Sequence, residues 1–294
     1  MAKRKLTERE QLQLQSDREM SVYKRDDMIQ KSRFTLTLQE QKCVLFAASK
    51  IKPTDDVFQE YTFELGHFCK LCGLQGDSYT ELKETLLGLK QKSWWMETAP
   101  GVESTVSWFN KVRTNKREGK VTIRFDDDMM PYLLKLAEQG AFYTSYNLQY
   151  ILPMSSQYSP RLYEILKSYQ KNNREWFFEI DELKRLLDCQ NYGRWPDFRR
   201  YALEPAIKEI NEYTDLNVAY DTEKQGRKVV RVIFFMAKKN SGALLDAKRA
   251  GSNILDGQLD FESIMAELMS EDNVRRQFWK DNPVERPEKP SEDV

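Results

Sequence analysis

The sequence predicts an α+β chain built from two tandem copies of one helix-and-hairpin unit. Two observations carry this. Helical and strand periods alternate in the same order twice between about Thr37 and Phe235. Each copy also closes on two alternating strands joined by a polar turn ending in Gly: Asn115-Lys116-Arg117-Glu118-Gly119 in the first, Thr222-Glu223-Lys224-Gln225-Gly226 in the second. The chain's 294 residues leave room for two cores.

The first copy opens on a capping box, Thr37-Leu38-Gln39-Glu40, followed by Val44, Leu45, Ala48 and Ile51 on one helical face. Tyr61 to Leu65 alternates as a strand does. A short helix is predicted through Cys72 and ends at Gly73. A second capping box, Ser78 to Glu81, starts a helix with Leu82, Leu86 and Leu89 aligned. Strands are predicted at Trp94–Met96, Thr105–Val112 and Val121–Phe125. A connecting helix, capped by Asp126-Asp127-Asp128, runs from Met129 to Gln139.

The second copy repeats the order. Ser159-Pro160 reads as an N-cap and first-turn proline, and Leu162, Ile165, Leu166 and Tyr169 share a face. A strand is predicted at Glu175–Ile180, a helix capped by Asp181, and a longer helix from Pro196 to about Tyr213. Strands at Leu216–Tyr220 and Val229–Phe235 close the unit. Helix, strand, helix, helix, hairpin is the order of a winged helix, a helix-turn-helix with a β wing. The expected fold is therefore two tandem winged-helix domains related by an internal pseudo-repeat. They span residues 21–150, including the linker helix, and 151–240. A flexible, basic N-terminal arm (1–20) precedes them and an acidic, partly disordered tail (241–294) follows. In that tail Phe261, Ile264, Met265 and Leu268 mark an amphipathic piece.

A single His excludes multi-His metal cages and His-Glu-x-x-His hydrolases. No phosphate-binding Gly-Lys-Ser/Thr loop and no Gly-x-Ser-x-Gly elbow is present. The four Cys, at 43, 69, 72 and 189, suit a reducing cytosol. Cys69-Lys70-Leu71-Cys72 beside His67 lacks a second Cys pair and reads as a half-buried helix rather than a metal site. No cofactor or metal is expected. Met1-Ala2-Lys3-Arg4-Lys5 leads into polar sequence and no apolar run is long enough to span a bilayer, so a cytoplasmic location without membrane association is expected.

The formal net charge is zero, with 46 Lys and Arg against 46 Asp and Glu. That average hides a dipole. Residues 241–294 hold 7 basic and 12 acidic residues, leaving 39 basic against 34 acidic in residues 1–240. A basic body is compatible with nucleic acid.

In a helix-turn-helix the second helix enters the major groove with its N-terminal side chains on base edges. In the second unit Phe198, Ala202, Leu203, Ala206, Ile207 and Ile210 fall on the core side of that helix. Asp197, Arg200, Tyr201, Glu204 and Lys208 fall opposite. Arg194, Arg199 and Arg200 gather at its start, where positive charge opposes the helix dipole unless an anion sits nearby. The alternative is a solvated face balanced by Asp197 and Glu204. Pro205, inside the helix, predicts a kink or a fresh helix start. Both wings are basic. The first carries Lys111, Arg113, Lys116, Arg117, Lys120 and Arg124, and the second Lys224, Arg227, Lys228 and Arg231. Such tips suit backbone phosphates.

These stretches resemble the replication initiators of iteron-type plasmids, which have two tandem winged helices. The resemblance runs from about Val22 to Ala237. It rests on Leu36 to Lys42, on Tyr158 to Tyr169, on Phe198-Arg199-Arg200 through Leu203 to Asn211, on Gly226 to Val229 and on Ile233 to Phe235. It implies a protein that is not an enzyme and binds repeated origin sites on double-stranded DNA as a monomer. It implies a homodimer, formed largely through the first winged helix, that represses its own gene. It further implies opening of an A·T-rich segment and recruitment of the host initiator and replicative helicase. By this likeness Arg194, Asp197, Arg199 and Arg200 read bases, while Lys83 and Lys90 contact DNA from the helix between Ser78 and Gln91. Two alternatives stay open: a repressor without initiator activity, and a DNA-nicking enzyme using one of the 14 Tyr.

Overall fold

In the computed structural model the described residues are 16–52, 54–67, 79–99, 101–115, 117–136 and 142–255. The N-terminal arm before Ser16, the Cys69–Cys72 segment, the capping box at Ser78 and the amphipathic piece at Phe261–Leu268 lie outside them.

The first unit begins with β1 (Ser21–Arg25) and α1 (Asp26–Lys31). The predicted capping box forms: Glu40 N–H donates to Thr37 Oγ1 at 3.3 Å, and Thr37 N–H to Glu40 Oε2 at 2.7 Å. It starts α2 (Leu38–Ala48), which is buried on nearly every side. Then come β2 (Tyr61–Glu64), α3 (Tyr79–Gln91), β3 (Ser93–Ala99), β4 (Val102–Ser107), β5 (Phe109–Asn115) and β6 (Lys120–Phe125). β7 (Tyr143–Asn147) returns to pair antiparallel with β1. The second unit holds α4 (Ser159–Gln170), β8 (Glu175–Glu179), α5 (Ile180–Leu186), α6 (residues 195–213), β9 (Leu216–Gln225) and β10 (Lys228–Lys238).

The pseudo-repeat is visible in the sheets. Strand order is β2-β6-β5 in the first unit and β8-β10-β9 in the second, with every pair antiparallel. The central strands show period-2 burial. Val121, Ile123 and Phe125 of β6, and Val232, Phe234 and Met236 of β10, point into the core. The first unit carries an additional hairpin, β3–β4, that the second lacks.

Three expectations are corrected. The strand expected over Thr105–Val112 breaks at Trp108, whose buried indole packs against Phe34 and Trp94 and turns the chain from one sheet into the next. The connecting helix expected to reach Gln139 ends at Leu133. Lys135 takes a left-handed φ of 51°, and its N–H bonds to Asp55 O instead of continuing the helix. The tail expected from residue 241 begins with an ordered helix, α7 (Ser241–Leu255). Asn240 Oδ1 accepts from Ala243 N–H at 2.9 Å, and Ala247, Gly251 and Leu255 are buried at four-residue spacing. A Cβ on Gly251 would lie 3.3 Å from Pro153 Cγ, so Gly there permits the close approach.

The two units form one packed body. Lys42 Nζ donates to Leu152 O at 2.6 Å and Gln41 Nε2 to Gln157 O at 2.8 Å. Arg161 Nη2 donates to Ser32 O at 2.7 Å. A single apolar cluster runs through both units.

Candidate nucleic-acid interface

Helix α6 is the second helix of the second helix-turn-helix. Its core face is as expected: Phe198, Ala202, Leu203, Ala206, Ile207 and Ile210 are all buried. The five-residue step from Phe198 to Leu203 does not suit an α-helix. It is met by a π-helical turn, Arg199–Leu203, in which Glu204 N–H reaches back to Arg199 O. The wider turn ends just before Pro205, whose ring would otherwise crowd the preceding turn. The helix therefore runs on through Pro205 without a break, with a π turn just ahead of the proline. Arg200 and Tyr201 bulge outward where the turn widens, and both are exposed.

The predicted reading residues divide. Arg194, with 81% of its side chain exposed, is held by Asp197 through two bonds, Nε–Oδ2 at 2.7 Å and Nη2–Oδ1 at 3.1 Å. This fork fixes the guanidinium plane at the helix entrance. Asp197, adjacent to it, raises the Arg194 pKa further. Arg200 lies over the Tyr201 ring at 5.4 Å. Tyr201, 53% exposed, stacks on Tyr192 with centroids 6.2 Å apart and planes at 21°. Tyr192 is braced in turn by Tyr158, whose hydroxyl is 3.4 Å away, and by Lys184 Nζ on its carbonyl at 2.6 Å. Arg199 turns along the helix instead, with Nε 3.3 Å from Glu204 Oε1. Lys208 is half-buried on the anchored part of the helix.

On α3, Lys83 is exposed beside exposed Leu87. Lys90 is exposed as well, and its Nζ also donates to Phe109 O at 3.0 Å, tying α3 to β5.

The wings are less uniformly cationic than their sequences suggest. In the first, Lys111 pairs with Glu60, Lys120 with Glu118 at 3.1 Å, and Arg124 with Asp127 at 2.6 Å. Arg113 and Arg117 are exposed and make no ion pair among the described residues. Lys116 lies outside the described residues. Asn115 Oδ1 accepts from the N–H groups of Arg117 and Glu118, and Gly119 takes a φ of 61°, which shapes the turn. In the second wing Gly226 does the same at 62°, leaving Lys224, Arg227 and Lys228 exposed at the tip. Arg231 faces Glu179 at 2.6 Å and Glu223 at 3.1 Å, so it is neutralised.

Sequence reasoning missed Tyr192, whose position next to the Gly193 turn was its only signal. It also missed Glu209. That buried carboxylate on α6 accepts from Ser155 N–H at 2.8 Å and from the Ser155 and Ser159 hydroxyls at 2.5 Å each. Ser159, expected to cap α4 itself, instead donates to Glu209.

Residues 21–167 match the family model described as Initiator Replication protein, WH1, and residues 179–235 match Initiator Rep protein, WH2. The chain belongs to this family of replication initiators. The initiator is 26% identical over 228 residues to a Replication initiation protein of Escherichia coli, covering 74% of this chain and 69% of that one. It is 29% identical over 132 residues to the PI protein of Escherichia coli, 40% of this chain and 43% of the other. Among solved structures it is similar to the Pi initiator protein crystallised in complex with iteron DNA. The TM-score is 0.54 at 20% identity, covering 76% of this chain and 99% of that one. That likeness bears out the fold of two tandem winged helices. Among the described residues no helix is long and apolar enough to cross a membrane.

Proposed function

We propose that this initiator starts plasmid replication by binding direct repeats at the origin, placing both winged helices on one duplex. The observation that carries this reading is the exposed start of α6, with Arg194–Asp197 and Arg200–Tyr201, in the same unit as an exposed wing tip of Lys224, Arg227 and Lys228. Forked guanidinium groups read guanine O6 and N7, and wing cations suit phosphates. The resemblance to a relative crystallised with iteron DNA supports the same reading. Lys83 on α3, with Arg113 and Arg117 on the first wing, forms the matching set in the first unit.

In this proposal the monomer acts at the repeats, and a homodimer represses the initiator's own gene from the cytoplasm. The protein then opens A·T-rich DNA and hands it to the host initiator and replicative helicase without enzymatic chemistry of its own. Footprinting on the cognate origin tests the reading. Protection of direct repeats spaced by about two helical turns is expected, and a protein that leaves them unprotected would contradict it. A replicon that needs this gene for maintenance separates an initiator from a repressor alone. A covalent Tyr–DNA adduct on supercoiled origin DNA would instead place it among nicking enzymes.

A further inference from the structure

The loop ahead of α2 meets α4 and the end of α5 at the seam between the two units, leaving a cleft of about 100 Å³. Phe34, Thr35 and Thr37 come from the first unit, and Gln157, Arg161 and Asp188 from the second. Arg161 is the unusual wall. It is 6% exposed. Its Nε donates to Leu186 O at 3.3 Å, its Nη2 to Ser32 O at 2.7 Å, and its guanidinium lies 4.8 Å from the Phe34 ring centroid. No carboxylate pairs with it among the described residues, and Nη1 has no acceptor there. The charge of buried Glu164 favours the ionised guanidinium from a distance, but its carboxylate is hydrogen-bonded to Lys24 and to the Tyr146 hydroxyl.

A buried guanidinium without a counter-ion is costly, because neutral carbonyls replace only part of its lost hydration. Burial accordingly lowers the Arg161 pKa. The cleft is large enough for several waters and admits a carboxylate or an inorganic phosphate. Other nearby charges do not replace an anion at this point. Asp188 is exposed at the rim, and Glu40, at the start of α2, is answered by Lys92 at 2.5 Å.

We propose that this interdomain cleft is a binding site for one small oxyanion, a carboxylate or a free phosphate, held by Arg161 and walled by both winged helices. An anion there ties the two units together, so it also raises the thermal midpoint of the whole chain. Occupancy does not depend on the DNA-binding reading.

Calorimetric titration of the full-length protein with inorganic phosphate, and separately with acetate, at constant ionic strength tests this and distinguishes the two anions. One saturable site per chain is expected for at least one of them. Arg161→Gln removes the fork, and Thr35→Phe fills the mouth of the cleft while leaving the bonds of Arg161 in place. Each should weaken binding roughly tenfold or more, as expected for loss of a charge-assisted pair. Should Arg161→Gln fail to fold, Thr35→Phe carries the test. Lack of saturation in the wild type, or an affinity within about threefold of wild type in either folded variant, overturns the site.

Discussion

Lys24 Nζ lies 2.7 Å from Glu164 Oε1, and both charged side chains are buried where β1 of the first unit meets α4 of the second. The Tyr146 hydroxyl donates to the same carboxylate oxygen. Burial lowers the Lys24 pKa despite the attraction of Glu164, and it raises that of Tyr146. Lys24→Met strands Glu164 without its counter-charge and is expected to cost about 3–5 kcal/mol in urea unfolding. Adding Glu164→Leu removes the stranded charge, so the double variant should recover more than half of that loss. A double variant no more stable than Lys24→Met would show that the carboxylate is not what the lysine balances.

Glu209 makes a second link, from α6 to the start of α4. Its carboxylate accepts two backbone N–H groups, Ser155 at 2.8 Å and Ser156 at 3.2 Å, and two serine hydroxyls. Hydrogen bonds to a charged acceptor are worth about 1.5–3 kcal/mol. Glu209→Ala is therefore expected to lower stability by about 3 kcal/mol and to speed amide exchange at Ser155 and Ser156. Glu209→Gln, which keeps one carbonyl acceptor, should fall between. Unchanged exchange at both amides in Glu209→Ala would refute this role.

What could be read from the sequence was local. The Thr37–Glu40 cap, the apolar face of α6 and the Gly-ended wing turns each depend on residues a few positions apart, where periodicity and turn chemistry act directly. Two of the wing ion pairs could not be read there, because their partners arrive through sheet register. Glu60 is 51 positions from Lys111, and Glu179 is 52 from Arg231. Lys90 is exposed as its helix position suggests, but helix position alone does not show that β5 also offers its ammonium a carbonyl. The docked α7 was hidden by its own glycines, although the Asn240 cap and the spacing of Ala247, Gly251 and Leu255 were available as signals.

Cys189 is fully buried, and burial pushes its thiol pKa from 9.0 up to about 12, with Lys184 opposing only in part. The folded-state pKa is raised, so the unfolded chain gives up this proton first. The group's contribution is complete below about pH 9 and is lost as pH rises toward about 12. Buried tyrosines such as Tyr150, also raised to about 12, act in the same direction. The informative comparison is therefore with Cys189→Ala. The stability advantage of the wild type in urea unfolding should shrink between about pH 8 and about pH 11. A constant difference across that range would contradict the shift.

Arg200 and Lys228 are both exposed cations of the second unit, yet they are expected to behave differently toward DNA. Arg200 projects from the π turn of α6 and is steadied by the Tyr201 ring, which itself rests on Tyr192. In the proposed DNA-binding mode a side chain so placed would read a base edge. Arg200→Ala should cost about 1–3 kcal/mol on the cognate repeat and relax preference at one base pair. Lys228, exposed at the wing tip two residues after Gly226, would meet backbone phosphate in the same binding mode. Lys228→Ala should weaken specific and non-specific binding alike and reduce the slope of log K against log salt by about one. Tyr192→Ala leaves Arg200 in place but removes the ring under Tyr201, so it should shift specificity in the same sense as Arg200→Ala by a smaller amount. Binding measured across single-base variants of the repeat at several salt concentrations separates these effects. Equal sequence dependence for the Arg200 and Lys228 variants would contradict the division between base reading and phosphate contact.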